Sequence, residues 1–173
     1  MNIAIPKEMG IDFSPEEDAD SYIGNALIKA EALYRIVHEP VLADDSGLEV
    51  DALGSAPGIH TARYGGEGLS SEERYTLLLK NMKNVTERGA SFIACLVLIV
   101  DERRKYIIQE ECRGRITEEP SGMAGFGYDP VFFVDDAGMT AAELPEGVKD
   151  RYSHRGKAAR LMNAVLKEEG FYD

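Results

Sequence analysis

The sequence predicts an α/β fold in which a mixed central sheet is flanked by helices and carries an antiparallel hairpin arm. Apolar residues recur with the period of an α-helix over residues 19–37, which indicates a long helix with one buried face. Two runs rich in β-branched and aromatic residues, 91–100 and 105–112, flank a short polar turn, as in a hairpin. The apolar run 41–43 has the length of a short buried strand.

Capping signals predict where the helices begin. The first helix is expected to start at Ser14, with Glu17 as the capping-box partner. A second helix is expected from Ser70, with Glu73 as its partner, to about Met82, and a last one over residues 153–169. Four polar residues spaced four apart would share one ridge of the first helix, which is either an ordinary solvated face or part of a site. They are Glu17, Ser21, Asn25 and Lys29.

Two adjacent acids mark the most informative stretch, residues 41–64. Asp44 and Asp45 follow the apolar run 41–43 directly, and Ser46 and Gly47 come next. In open α/β sheets, ligands bind at the carboxyl ends of strands. Two neighbouring carboxylates repel each other unless a cation or a proton lies between them, and Mg²⁺ is a common solution. The alternative interpretation is a plain turn, because these residue types also favour turns.

A second candidate region combines glycines, aromatic residues and cations. Residues 120–130 contain three glycines together with Phe126 and Tyr128, whose rings are able to stack on a nucleobase. The glycine spacing matches neither a P-loop nor a dinucleotide fingerprint. Further along, Lys149, His154 and Arg155 belong to a cationic group in an otherwise acidic chain, which suggests local binding of an anion or a base.

Composition narrows the function classes. The chain has 173 residues, 44% of them hydrophobic, and a formal net charge of −12. A charge of this sign argues against general nucleic-acid binding, which needs a basic face. The sequence contains no apolar run of about 18 residues, so no membrane span is predicted. Its two cysteines make no disulfide framework, which favours a reducing cytoplasm, and Cys95 is expected to be buried.

Four strings occur in order along the chain, namely Ala43-Asp44-Asp45-Ser46-Gly47-Leu48, Ala56-Pro57-Gly58 with Ala62-Arg63-Tyr64, Gly125-Phe126-Gly127-Tyr128-Asp129-Pro130, and Ser153-His154-Arg155-Gly156. Together they resemble the inosine triphosphate pyrophosphatase family, which removes noncanonical purine nucleoside triphosphates from the nucleotide pool. The resemblance extends from about Ser14 to the C-terminus.

The resemblance implies a Mg²⁺-dependent hydrolysis of ITP, dITP or XTP to the monophosphate and pyrophosphate. It gives Asp45 the roles of proton acceptor and metal ligand, Glu17 that of the other metal carboxylate, and Lys29 a catalytic role near the phosphates. The residues that it implies as substrate contacts are Ser46, Arg63, Phe126, Gly127, Tyr128, Asp129, Lys149, His154 and Arg155.

The same resemblance implies one domain over residues 1–173, with two lobes around a nucleotide cleft, that forms a cytoplasmic homodimer and binds neither nucleic acid nor membranes. Members of the family usually open with a strand and a Thr-Gly-Asn-x-x-Lys-like phosphate loop. No such motif precedes Ser14, so the chain is expected to be short at its N-terminus. Gly24 also stands where the family often has Glu.

Three alternatives remain open at this point. A chain without the phosphate loop would bind nucleotides but turn them over weakly. A Maf-like pyrophosphatase acting on dTTP or UTP is disfavoured by the string Ser153-His154-Arg155-Gly156. A phosphoaspartate receiver also pairs acids with a lysine, but its acids follow the first strand directly, whereas a long helix precedes Asp44 and Asp45 here.

Overall fold

The computed structural model describes residues 3–172 and confirms the predicted α/β class. The helices are α1 (Tyr22–Val37), α2 (Ser71–Asn81), α3 (Lys149–Tyr152) and α4 (His154–Glu168). The strands are β1 (Val41–Val50), β2 (Pro57–Gly58), β3 (Gly89–Ile99), β4 (Lys105–Ile116), β5 (Phe132–Val134) and β6 (Met139–Thr140). They form one sheet in the order β2-β1-β3-β4-β5-β6, in which β1 with β2, β4 with β5, and β5 with β6 pair antiparallel.

The described chain divides into two compact units. The first unit contains the residues up to Asp45, Cys95–Gln109, and the residues from Ala158 onward. The second unit contains Ser46–Ala94 and Glu110–Lys157. Strands β1, β3 and β4 each contribute residues to both units. In β1, the boundary between the units falls between Asp45 and Ser46.

Helix α1 begins later than the capping signals predict. Its N-cap is Ser21, whose Oγ accepts the N–H of Gly24 at 3.2 Å, and the predicted start at Ser14 is wrong. Residues 11–19 have no regular secondary structure. Outside the helix, Glu17 reaches Lys29, whereas a helix over this segment would stack the four carboxylates of residues 16–20 on adjacent turns. Glu17 therefore does not belong to a ridge of α1.

Strand β1 is longer than predicted, and it contains the paired acids. It runs from Val41 to Val50, so both the prediction that it ends at Ala43 and the alternative turn at 44–47 are wrong. Leu48 pairs with Gly58, and Glu49 pairs with Pro57. The strand accommodates Asp45 because polar partners on α1 hydrogen-bond its carboxylate, so no turn is required to bring it to water.

The other capping predictions are confirmed in most respects. Ser70 caps α2 in a complete capping box with Glu73, and Ser153 Oγ accepts the Gly156 N–H at 3.0 Å at the start of α4. Val100 donates its N–H to the Arg104 carbonyl at 2.9 Å, which closes the hairpin between β3 and β4. Helix α4 buries Ala158 and Met162, whereas Leu161 is 48% exposed.

The hydrophobic core of the second unit includes residues at the end of the glycine-rich loop and directly after it. Tyr128, Val131 and Phe132 pack in one cluster with Leu48 and Leu78. Apolar contacts with this core therefore hold the chain in place where the loop ends. Within residues 3–172, no helix has the length and apolar character needed to cross a bilayer.

Candidate functional site

Four side chains of the first unit form what we call the carboxylate–lysine cluster, namely Glu17, Asn25, Lys29 and Asp45. Lys29 Nζ donates to Asp45 Oδ1 at 2.9 Å and to Glu17 Oε2 at 3.1 Å. Asn25, which is 1% exposed, directs its Nδ2 towards Asp45 Oδ2 at 3.5 Å. Two acids thus surround one ammonium group, and they come from the irregular segment 11–20 and from β1, while the ammonium comes from α1.

Burial controls the protonation chemistry of this cluster. The Asp45 side chain is 11% exposed, and its burial raises the pKa of the carboxyl group more than the hydrogen bond from Lys29 lowers it. The charge of Glu17 raises the same pKa further. Burial works in the opposite direction on Lys29, but the hydrogen bonds and charges of Asp45 and Glu17 outweigh it and raise the pKa of the ammonium. Lys29 stays charged, and Asp45 is a better proton acceptor than a solvated carboxylate.

The donor set of this cluster fits a hard divalent cation that is shared with a substrate. The oxygens of Glu17 and Asp45 lie within hydrogen-bond distance of a single nitrogen, so one small cation is able to reach both. Within residues 3–172, no group of three or more His, Cys, Asp or Glu side chains has the arrangement of a metal site. Mg²⁺ is commonly held by one or two carboxylates together with substrate phosphates and water. Glu17 and Asp45 would supply the two carboxylates of such a ligand set.

Four side chains of the second unit form what we call the aromatic–cation cluster, namely Phe126, Asp129, Lys149 and Arg155. The ring of Phe126 is 67% exposed. The Lys149 Nζ lies 5.2 Å from its centroid, and the Arg155 Cζ lies 5.7 Å from it. These are cation–π distances. The cluster therefore combines an exposed aromatic ring with two cationic hydrogen-bond donors close to it.

Asp129 organises this cluster from a buried position. It is 5% exposed, and its Oδ2 accepts the Phe126 N–H at 2.7 Å and a hydrogen bond from Lys149. Gly125 has a φ of +81°, and a Cβ on it would collide with the Asp129 carboxylate. The glycine thus permits both the left-handed turn and the close approach of the acid. In the structure, Asp129 holds Phe126 and Lys149 in place. Its role as a substrate contact, which the family resemblance implies, stays a prediction.

Tyr128 and His154 are held by contacts within the second unit. Tyr128 is 3% exposed and donates its hydroxyl to the Thr61 carbonyl at 3.1 Å. Burial raises the pKa of this phenol to about 12, so it remains a hydrogen-bond donor at neutral pH. The His154 ring stacks on Phe92 with 4.8 Å between centroids and 12° between planes. A cavity of about 20 Å³, room for one water molecule, lies beside Lys149, His154 and Phe92.

The remaining predicted residues have other surroundings. Ser46 is half-buried in β1 directly after Asp45. Arg63 is exposed and donates from its Nε to His60 Nδ1 at 3.1 Å. Gly127 has a φ of +63° and open space around the position of a side chain. The structure thus gathers Glu17, Lys29 and Asp45 in one unit and Phe126, Asp129, Lys149 and Arg155 in the other.

Sequence reasoning missed two residues that contact predicted site residues and one that supports the fold of the second unit. Asn25 was visible only as a member of a polar ridge, and its spacing of four from Lys29 was the available signal. Phe92 lies in an apolar run that reads as strand core, so nothing local indicated its stack on His154. Arg88 donates to four backbone carbonyls, those of Met82, Val85, Ile116 and Thr117, which no sequence pattern encodes.

The family model and the similar proteins that we compared with this chain point to the same family. The model of the Ham1 family matches residues 1–165. A protein of Treponema denticola named dITP/XTP pyrophosphatase is 52% identical over 95% of this chain and 87% of its own length. A protein of the same name from Yersinia pseudotuberculosis is 41% identical over 97% and 87%. The chain covers 62% of the Treponema pallidum protein of that name, at 45% identity.

Solved structures agree with this assignment. The Staphylococcus aureus Ham1 protein superimposes with a TM-score of 0.90 at 37% identity, covering 96% of this chain and 86% of that one. A HAM1 protein from Coxiella burnetii gives a TM-score of 0.85 at 39% identity, covering 88% and 80%. The family resemblance predicted from the sequence strings is therefore confirmed, and the chain belongs to the Ham1 family.

Proposed function

We propose that this protein hydrolyses noncanonical purine nucleoside triphosphates such as ITP, dITP and XTP to the monophosphate and pyrophosphate. The observation that carries the proposal is the contact of one ammonium, Lys29, with two acids, Glu17 and Asp45. The names of the relatives from Treponema denticola and Yersinia pseudotuberculosis support the substrate class. We propose Mg²⁺ as the metal, with Glu17 and Asp45 as its protein ligands.

At the phosphate end, the residues of the carboxylate–lysine cluster divide the tasks. Asp45, whose pKa is raised by burial, accepts the proton of the attacking water as the α–β anhydride is cleaved and pyrophosphate leaves. Lys29 offsets the negative charge that builds on the phosphate oxygens. A divalent cation between the carboxylates would neutralise phosphate charge and lower the pKa of bound water.

At the base end, the aromatic–cation cluster selects the purine. Phe126 offers an exposed face for base stacking, and Lys149 and Arg155 place donors around it. A 6-keto oxygen accepts hydrogen bonds from such donors, whereas the 6-amino group of adenine would oppose one donor with another. Asp129 holds Lys149 in place, and Tyr128, His154, Gly127, Ser46 and Arg63 remain proposed substrate-binding positions. The nucleotide cleft, the homodimer and the cytoplasmic location stay predictions.

The direct test is a panel of triphosphates with and without Mg²⁺, with the products identified. The purified chain should convert ITP and XTP to the monophosphate and pyrophosphate, with a kcat/KM at least about 10²-fold above that for ATP. Glu49→Gln, which removes another carboxylate of β1, is the matched control and should retain full turnover. Equal turnover of ATP, or a preference for dTTP and UTP, would contradict the proposal. ITP binding without hydrolysis would support the alternative of a weakly catalytic binding protein.

A further inference from the structure

Asn25 connects two parts of the carboxylate–lysine cluster. Its side chain is 1% exposed, and a buried carboxamide needs partners for both of its ends. Its Oδ1 accepts the N–H of Ala19 at 3.1 Å, and its Nδ2 points to Asp45 Oδ2 at 3.5 Å. Ala19 lies two residues after Glu17 in the irregular segment that precedes α1. One side chain therefore bridges the backbone that carries Glu17 to the carboxylate of Asp45.

Gly24 makes this bridge possible. It occupies the first turn of α1, where a Cβ would lie 2.5 Å from the Ala19 Cβ and 3.0 Å from Ser21 Oγ. A larger residue would push the 11–20 segment away from the helix and separate the Ala19 N–H from Asn25. Glycine is otherwise an unfavourable choice in a helix, so its presence here serves the close approach.

We propose that Asn25 is a positioning residue that holds the Glu17 segment and the Asp45 carboxylate in a fixed relation, and that Gly24 is the contact point that permits it. The consequence is that two acids from distant parts of the sequence meet the same cation without rearrangement. Partners of this kind, which orient metal ligands without touching the metal, contribute about 10- to 100-fold to metal affinity or activity. This inference rests on the proposed function only for its effect on turnover.

The hydrogen bond itself is tested without any activity measurement. In Asn25→Leu, the Ala19 amide should exchange its hydrogen about tenfold faster or more, because its acceptor is gone. In Asn25→Asp, an acceptor remains for the Ala19 N–H while the donor towards Asp45 is lost, so the Ala19 amide should stay protected. An Ala19 exchange rate that is unchanged in Asn25→Leu would overturn the bridge.

Gly24 provides a variant in which stability and function move in opposite directions. Gly24→Ala favours the helix but displaces Ala19, so we expect an unchanged or higher melting temperature together with about 10-fold weaker Mn²⁺ binding by calorimetry. Adding Ala19→Gly removes the nearest clashing atom, which leaves Ser21 Oγ at 3.0 Å and the Ala19 Cα at 3.9 Å, and should restore the affinity. Wild-type Mn²⁺ affinity in Gly24→Ala, or failure of the double variant to recover it, would overturn the role of Gly24.

The link to turnover is tested last, with a control for general destabilisation. Asn25→Leu should lower kcat for ITP by about 10- to 100-fold and raise the Mg²⁺ concentration needed for half-maximal rate, with the KM for ITP within about threefold. Ala30→Gly destabilises the same helix at a buried side chain that makes none of the hydrogen bonds of the cluster, and it should change none of these values. Equal effects in both variants would make Asn25 merely structural. If the wild type hydrolyses no triphosphate, the proposed function fails, while Ala19 exchange and Mn²⁺ binding still decide the positioning role.

Discussion

The carboxylate–lysine cluster and the aromatic–cation cluster differ in how the chain assembles them. The first draws Glu17, Lys29 and Asp45 from an irregular segment, a helix and a strand. The second comes from two short stretches, 125–129 and 149–155, each of which places its residues by local turns and helix starts. A site made of distant pieces depends on tertiary contacts, whereas a site made of local pieces is visible in the sequence.

The clusters also differ in burial, and we expect substitutions in the buried cluster and in the exposed cluster to change different kinetic constants. Side-chain exposure is 11% for Asp45 and 19% for Lys29, whereas Phe126 is 67% exposed. Charges out of water interact strongly and are costly to leave unpaired. We therefore expect changes in the first cluster to act on the rate of chemistry, and changes in the second to act on binding and selectivity.

The largest of the graded effects is expected for Lys29→Met. The substitution leaves Glu17 and Asp45 facing each other without the ammonium that both contact at 3.1 and 2.9 Å. We expect kcat for ITP to fall about 10²- to 10³-fold, because the charge that stabilises the phosphate oxygens is lost. Steady-state kinetics at saturating Mg²⁺ measures this, with Lys80→Met on α2 as the control. A kcat within threefold of wild type, which is less than about 1 kcal/mol, would remove Lys29 from the proposed mechanism.

Phe126→Ala should produce a smaller effect of a different kind. Base stacking on an aromatic side chain contributes about 1–3 kcal/mol, so the KM for ITP should rise about 10-fold or more while kcat changes little. Met123, on the same loop and fully exposed, supplies the control Met123→Ala, which should leave both constants unchanged. A fall in kcat with an unchanged KM would mean that the two clusters do not divide the work as described.

Because the aromatic–cation cluster is built from local stretches, its residues are easier to identify in the sequence than those of the carboxylate–lysine cluster. The glycine-rich loop, Lys149 and the Ser153 cap were identified from local signals, and the structure places them accordingly. The start of α1 was misplaced because Ser14 and Glu17 imitate a capping box, while the true cap, Ser21, has no acidic partner three residues on. Strand β1 was ended too early because acids inside a strand need partners that only the folded chain supplies.

Arg88→Met tests whether stability in the second unit is separate from its binding chemistry. Arg88 donates to four backbone carbonyls, including that of Ile116 at 2.7 Å, and touches no residue of the aromatic–cation cluster in the hydrogen bonds described. Its loss should lower the free energy of unfolding by about 2 kcal/mol, since acceptors are left without donors. Urea unfolding measures this against the exposed control Lys83→Met. An altered KM for ITP in the folded variant would contradict the separation.

The last contrast concerns Cys95, a buried thiol on which the charge of Asp45 acts. Burial, with the charge of Asp45 adding to it, raises the pKa of this thiol from 9.0 to about 11. Because the folded pKa lies above the unfolded one, the thiol contributes stability below pH 9 that is lost as pH rises towards 11. At pH 8, iodoacetamide should label Cys95 about 100-fold more slowly in the folded protein than in urea, as followed by mass spectrometry. Equal rates would mean that this side of the cluster is open to water.

Asp45→Asn tests most directly that a buried carboxylate performs the chemistry while the other cluster holds the base. The variant keeps the shape of the side chain and should bind ITP within about tenfold of wild type by calorimetry, while pyrophosphate release falls by about 10³-fold or more. Its circular dichroism spectrum should match that of wild type. Pyrophosphate release at the wild-type rate would contradict the role of Asp45 and with it the division between the two clusters.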